Sequence, residues 1–135
     1  MPRFWQKALE LLRWIEQDTG DWYAPDAQAN ARSIRLLVNN LSEAQRHQFD
    51  QCNYFDVIGS KSGARYRIRH GHMLNVERID KSGRRLVKLC FAPRGQLPVG
   101  DIMLAQKIAL ELFEADAIKV ANVSGPLRDE PCDPW

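Results

Sequence analysis

The chain has 135 residues, 44% of them hydrophobic and 27% charged, and a formal net charge of only +2. That length suits one domain, and the composition is ordinary for a globular chain, far from the hydrophobic depletion of disordered ones. No apolar run approaches the roughly 18 residues of a membrane span, and three cysteines are too few, and odd in number, for a disulfide scaffold.

In chain order, Phe4, Ala8, Leu11, Leu12 and Ile15 recur at helical spacing, which predicts an amphipathic helix that stops near Gly20. Lys7, Glu10 and Arg13 within it exclude the uncharged core of a secretory signal, and its polar face lacks the Lys/Arg enrichment of membrane-surface helices. A cytoplasmic protein with reduced thiols and no membrane partner is the expectation. After the connector 22–25, Asp26 reads as the N-cap of a second helix whose Ala27, Ala31, Ile34, Val38 and Leu41 share a face. Ser42 followed by Gln45 is a capping-box pattern, starting a third helix that runs to about Phe49.

The period then changes. Strands are predicted over 53–58, 64–69, 73–79 and 86–92, separated by turns at 59–63, 70–72 and 81–84. Such short connections make neighbours antiparallel, which gives a meander. A three-residue turn at 70–72 pairs Arg69 with Met73, Arg67 with Asn75 and Arg65 with Glu77, and sets Ile68 opposite Leu74 and Tyr66 opposite Val76. A two-residue turn at Ser82 and Gly83 pairs Val76 with Leu89, Leu74 with Phe91 and Glu77 with Lys88.

Asp101 reads as the cap of a long helix over 102–123. Ile102, Ala105, Ala109, Leu112, Phe113, Ala117 and Val120 form one broad apolar face, with a second stripe at Leu104, Ile108, Ala115 and Ile118. The expected architecture is a single α+β domain over 1–123. It is a four-stranded antiparallel β-meander with one face covered by N-terminal helices (1–50) and a long C-terminal helix (101–123), the sheet segment being 51–97. Val57, Ile68, Leu74, Val76, Leu89 and Phe91 would meet Leu112 and Phe113 in the core. The Pro-rich tail, 124–135, is expected to fray.

The net +2 conceals an asymmetry: residues 1–50 carry −1, residues 51–98 carry +7 from ten cations and three anions, and residues 99–135 carry −4. Arg65, Arg67 and Arg69 alternate with Tyr66 and Ile68 and therefore line one strand face, where Asp56 and Glu77 offset much of their charge. The first and third turns of a meander fall at the same end, which collects Lys61, Lys81, Arg84 and Arg85, with Arg78 approaching; Arg67 and Arg69, on the strand face, are further candidates for the same contact. Clustered cations among small turn residues predict a non-catalytic module that binds a polyanion, either a nucleic-acid backbone or an acidic protein. The alternative is a protein-interaction or structural subunit, including a homo-oligomer, using Leu104, Ile108 and Ile118 with Trp14.

An enzyme using Cys90 with His70 or His72 is a third reading, but the residues give no complete acid, base and nucleophile set. His70 and His72 have metal-like spacing, yet Gly71 separates them in a turn and no third ligand lies close in sequence, so neither metal nor cofactor is expected. Residues 59–63 lack the spacing of a phosphate-binding P-loop. Cys132, in the tail, is the thiol most open to oxidation.

Overall fold

The computed structural model describes residues 26–71, 73–92 and 95–124. The helix expected over 4–15, with Trp14, and also His72 and Cys132, lie outside the described residues. The elements are α1 (Ala27–Asn39), α2 (Glu43–Cys52), β1 (Tyr54–Ile58), β2 (Arg65–Arg69), β3 (Val76–Ile79), β4 (Arg85–Cys90), α3 (Val99–Val120) and β5 (Asn122–Ser124). The fold is α+β, with helices packed on an antiparallel sheet of five strands in the order β1-β2-β3-β4-β5. The fifth strand takes up residues expected to extend the last helix.

Both helix starts follow their side chains. Asp26 accepts from the amide of Ala29 at 2.6 Å, and Ser42 and Gln45 exchange the two bonds of a capping box. Asn53 ends α2 in the left-handed conformation, which asparagine tolerates, so β1 begins at Tyr54. The edge of β1 is shielded by α2: Gln48 accepts from the Asp56 amide at 2.8 Å and Gln45 donates to the Asp56 carbonyl at 3.0 Å. Two glutamines thus stand in for a neighbouring strand at an edge that would otherwise invite pairing.

The β3–β4 register is the expected one, Val76 opposite Leu89 and Glu77 opposite Lys88, with a bulge between Arg78 and Ile79. The β2–β3 register differs by two residues: Ile68 faces Val76, Tyr66 faces Arg78 and Arg67 faces Glu77. The connection is longer than three residues. Leu74, with φ 52, turns the chain in the left-handed region and is exposed, while Asn75 donates to the Arg69 carbonyl at 3.0 Å. Leu74 is therefore a turn residue and not part of the core.

Leu37, Phe55, Val57, Tyr66, Ile68, Val76, Leu89, Met103 and Leu110 centre the core. Leu112, expected to face it, is exposed; α3 instead turns Ile102, Met103, Gln106, Leu110, Glu114 and Ala117 inward. Gln106 is satisfied there by a reciprocal amide pair with Asn75, at 2.8 and 3.0 Å, and by the Phe91 carbonyl at 2.9 Å. On α1 the buried residues are Ser33 and Leu37, with Ala27 and Ala31 exposed. Ser33 is buried because α1 caps α3 from outside: Asn30 and Ser33 accept from the amides of Val99 and Gly100 at 3.2 and 3.0 Å. Pro98, and not Asp101, occupies the N-cap of α3, and it has no side-chain cap of its own. Gly100 permits the crossing, since a Cβ there would overlap the Ser33 carbonyl.

Candidate functional site

Two turns close the same end of the sheet. Adjacent strands lie about 4.8 Å apart, and the row Ile58–Arg65–Ile79–Arg85 marks the last paired level before them. The turn after β1, residues 59–64, carries Lys61; the turn after β3, residues 80–84, carries Lys81 and Arg84.

The first turn is inserted into α3. Phe113 has non-helical backbone angles (φ −139, ψ 40) and interrupts the helix. In an unbroken helix the Glu114 amide would reach the Leu110 carbonyl. Here Ser60 takes both groups: its amide donates to Leu110 O at 3.1 Å, and its hydroxyl oxygen accepts from Glu114 N at 3.2 Å. The Glu114 side chain, 3% exposed, then enters the turn. Its Oε1 accepts from the amides of Lys61 (2.9 Å) and Ser62 (2.6 Å), and its Oε2 from the hydroxyls of Ser62 (2.5 Å) and Tyr66 (2.6 Å). Gly59 packs against this carboxylate so closely that a Cβ could not fit.

Burial opposes ionisation of Glu114, but the donors from Ser62, Tyr66 and Lys61 outweigh it and hold the carboxyl at about 2. Burial and the same carboxylate push the Tyr66 phenol up to about 12. Glu114 is a buried anion fully matched to donors, so it has no spare proton for acid–base work at neutral pH.

The second turn has its own acid. Asp80 Oδ1 accepts from the Ser82 amide (2.9 Å), the Ser82 hydroxyl (2.7 Å) and the Arg84 amide (2.9 Å). Those bonds hold its carboxyl below the usual range, the Ser82 hydroxyl contributing most. Both cationic turns are thus shaped by a carboxylate that accepts from their backbones.

The candidate cations divide into two groups. Arg67 pairs with Asp56 at 2.9 Å, and its guanidinium lies 4.0 Å from the centre of the Tyr54 ring. Glu77, with no exposure, is held by Arg69 on one side and Arg85 on the other. Its Oε2 meets Arg85 Nε at 2.5 Å as an ion pair without hydrogen-bond alignment. Arg67, Arg69 and Arg85 are thereby committed to acids on the sheet face. Lys61, Arg65, Arg78, Lys81 and Arg84 are exposed, and none forms an ion pair with a described carboxylate. Lys61, Lys81 and Arg84 were expected at this end and Arg78 near it; Arg65 joins them, whereas Arg85, also expected here, is taken up by Glu77.

The structure scatters the other candidates. Leu104 and Ile108 are half-buried, Leu104 packing against the core, and Ile118 is exposed. Cys90 is half-buried on β4 and His70 is exposed beyond β2. Among the described residues, no group of three or more His, Cys, Asp or Glu could hold a metal ion, and no helix is long and apolar enough to cross a membrane. A cleft of about 730 Å3 between α1 and α2 is lined by Ile34, Val38 and Phe49 with the charged and polar side chains of Glu43, Arg46, His47, Asp50 and Asn53, none of them a candidate site residue from the sequence.

Glu114 and Ser60 escaped the sequence reading because an acid on an amphipathic helix is normally read as solvent-facing. A signal was present: Glu114 stands between Leu112-Phe113 and Ala115, with an apolar residue also at 110, four positions earlier. Compared with known proteins, the chain matches no family model, no curated protein and no solved structure.

Proposed function

We propose that the chain is a non-catalytic binding module that contacts the phosphate backbone of a nucleic acid through the sheet end formed by its first and third turns. The observation that carries this reading is a division among the basic residues of the sheet segment: Arg67, Arg69 and Arg85 are bound to acids, whereas Lys61, Arg65, Arg78, Lys81 and Arg84, in or next to the two turns, face solvent with no ion pair to a described carboxylate. The Ser62 and Ser82 hydroxyls already donate to Glu114 and Asp80, so contacts to phosphate oxygens, which position a backbone without reading its sequence, fall to the cations. Arginine suits this role through its fork of donors.

The test is titration of a fluorescent 20-base-pair DNA duplex with the full chain over a range of salt. Binding should weaken linearly in log–log form, with a slope of about −0.9 for each phosphate neutralised. It should be indifferent to sequence, and lost in the triple variant Lys61→Glu, Lys81→Glu, Arg84→Glu. Binding that survives that charge reversal would remove the proposal. Binding of polyglutamate with the duplex left untouched would move the same surface to an acidic protein partner.

A further inference from the structure

The two carboxylates that shape the cationic turns are acids beside a basic cluster. By charge alone each should weaken the attraction of a polyanion, and deleting either should strengthen binding. The geometry argues for the opposite sign. We infer that Glu114 and Asp80 are positioning residues of the polyanion site: they fix the backbones that present Lys61, Lys81 and Arg84, so that removing either acid weakens binding although the protein becomes more positive. The inference rests on the polyanion reading above.

Each acid acts through main-chain groups of the residues concerned. Glu114 accepts from the amide of Lys61 itself and from its neighbour Ser62, and the first turn is also wedged into the break of α3 by Ser60. Asp80 accepts from the amides of Ser82 and Arg84, while its own amide donates to the Arg84 carbonyl at 2.8 Å. A flexible turn with small residues would otherwise spread its cations over many directions, and ordering them on binding would cost affinity. Neither carboxylate ties up a cation in an ion pair: Glu114 is buried and saturated by donors, and Asp80, though it feels the charge of Arg84, is within ion-pair distance of no described Lys or Arg.

The experiment compares the full chain with Glu114→Gln and Asp80→Asn, in otherwise native and Lys61→Ala or Arg84→Ala backgrounds, by titration of the same 20-base-pair duplex at several salt concentrations. Circular dichroism confirms that each variant is folded. The expected result is severalfold weaker binding for each acid variant, with a salt slope shallower by about 0.9 for each phosphate that is no longer neutralised. Glu114→Gln should add little once Lys61 is alanine, and Asp80→Asn little once Arg84 is alanine. Equal or tighter binding by both acid variants, while the native chain binds, overturns the positioning role and leaves the polyanion reading standing. A native chain that ignores the duplex overturns both. Asp80 lies in a surface turn outside the core, so its variant decides the matter if Glu114→Gln fails to fold.

Discussion

Glu114 combines burial with a carboxyl held at about 2, and the four donors around it explain why these coexist. In the unfolded chain the same group titrates at its ordinary 4.5. Its folded-state value is depressed, so the stability it contributes is complete above about 4.5 and is lost as the pH falls toward about 2. Thermal unfolding followed between pH 5 and pH 2.5 should show a fall that is shallower in Glu114→Gln than in the native chain; parallel curves would contradict this assignment. At neutral pH the Gln variant should be less stable by roughly 1–3 kcal/mol, because donors built for an anion are left with a neutral partner. Gly59→Ala should cost a similar amount, about 1–3 kcal/mol, since its Cβ would enter the space of the Glu114 carboxylate. Urea denaturation measures both.

At the scale of elements, the local signals written in short-range chemistry were the legible ones. The cap at Asp26, the capping box at Ser42 and Gln45, and the register of Val76 against Leu89 all depend on residues within a few positions of one another. The β3–β4 turn nevertheless closes on Asp80 and Arg84 around three residues, not the expected two, and the bulge between Arg78 and Ile79 takes up the difference. The β2–β3 register was not legible, because a slip of two residues leaves every side chain on its own face, and alternation cannot distinguish the two pairings. What selects the observed one is the anchoring of Asn75 on Gln106, far away in sequence. The inward face of α3 was hidden for a related reason: Gln106 and Glu114 are buried because strands and turns satisfy them, and those partners are not adjacent in the chain. The same long-range logic guards the β1 edge. Replacing Gln45 and Gln48 together by alanine leaves the Asp56 amide and carbonyl without their α2 partners. The double variant should lose roughly 1–3 kcal/mol and associate in a concentration-dependent way through the opened edge. Urea denaturation and sedimentation test the two parts, and a double variant that stays both stable and monomeric would show that the glutamines do not shield the edge.

Across the whole molecule, the basic middle of the sequence is divided by the fold into cations that hold the structure and cations that face solvent. Composition showed only the excess of charge; strand alternation placed the arginines on a face; the three-dimensional pairing decided which of them remain available. Arg84 and Arg85 are neighbours in sequence and make the sharpest test of that division. The Arg85 side chain is 9% exposed and bound to the fully buried Glu77, while Arg84 is exposed and bears no ion pair to a described carboxylate. Arg85→Ala removes one of the two arginines on a buried acid and should destabilise the fold by about 3 kcal/mol, as broken buried pairs do. Arg84→Ala should leave stability within about 0.5 kcal/mol, as surface substitutions do, but weaken duplex binding and flatten its salt dependence by about 0.9. Urea midpoints and salt-dependent titrations on the same two proteins separate the effects. A common loss of stability, or a common loss of affinity in folded protein, would mean that the two arginines share one role and that the division of the basic residues is not the one described.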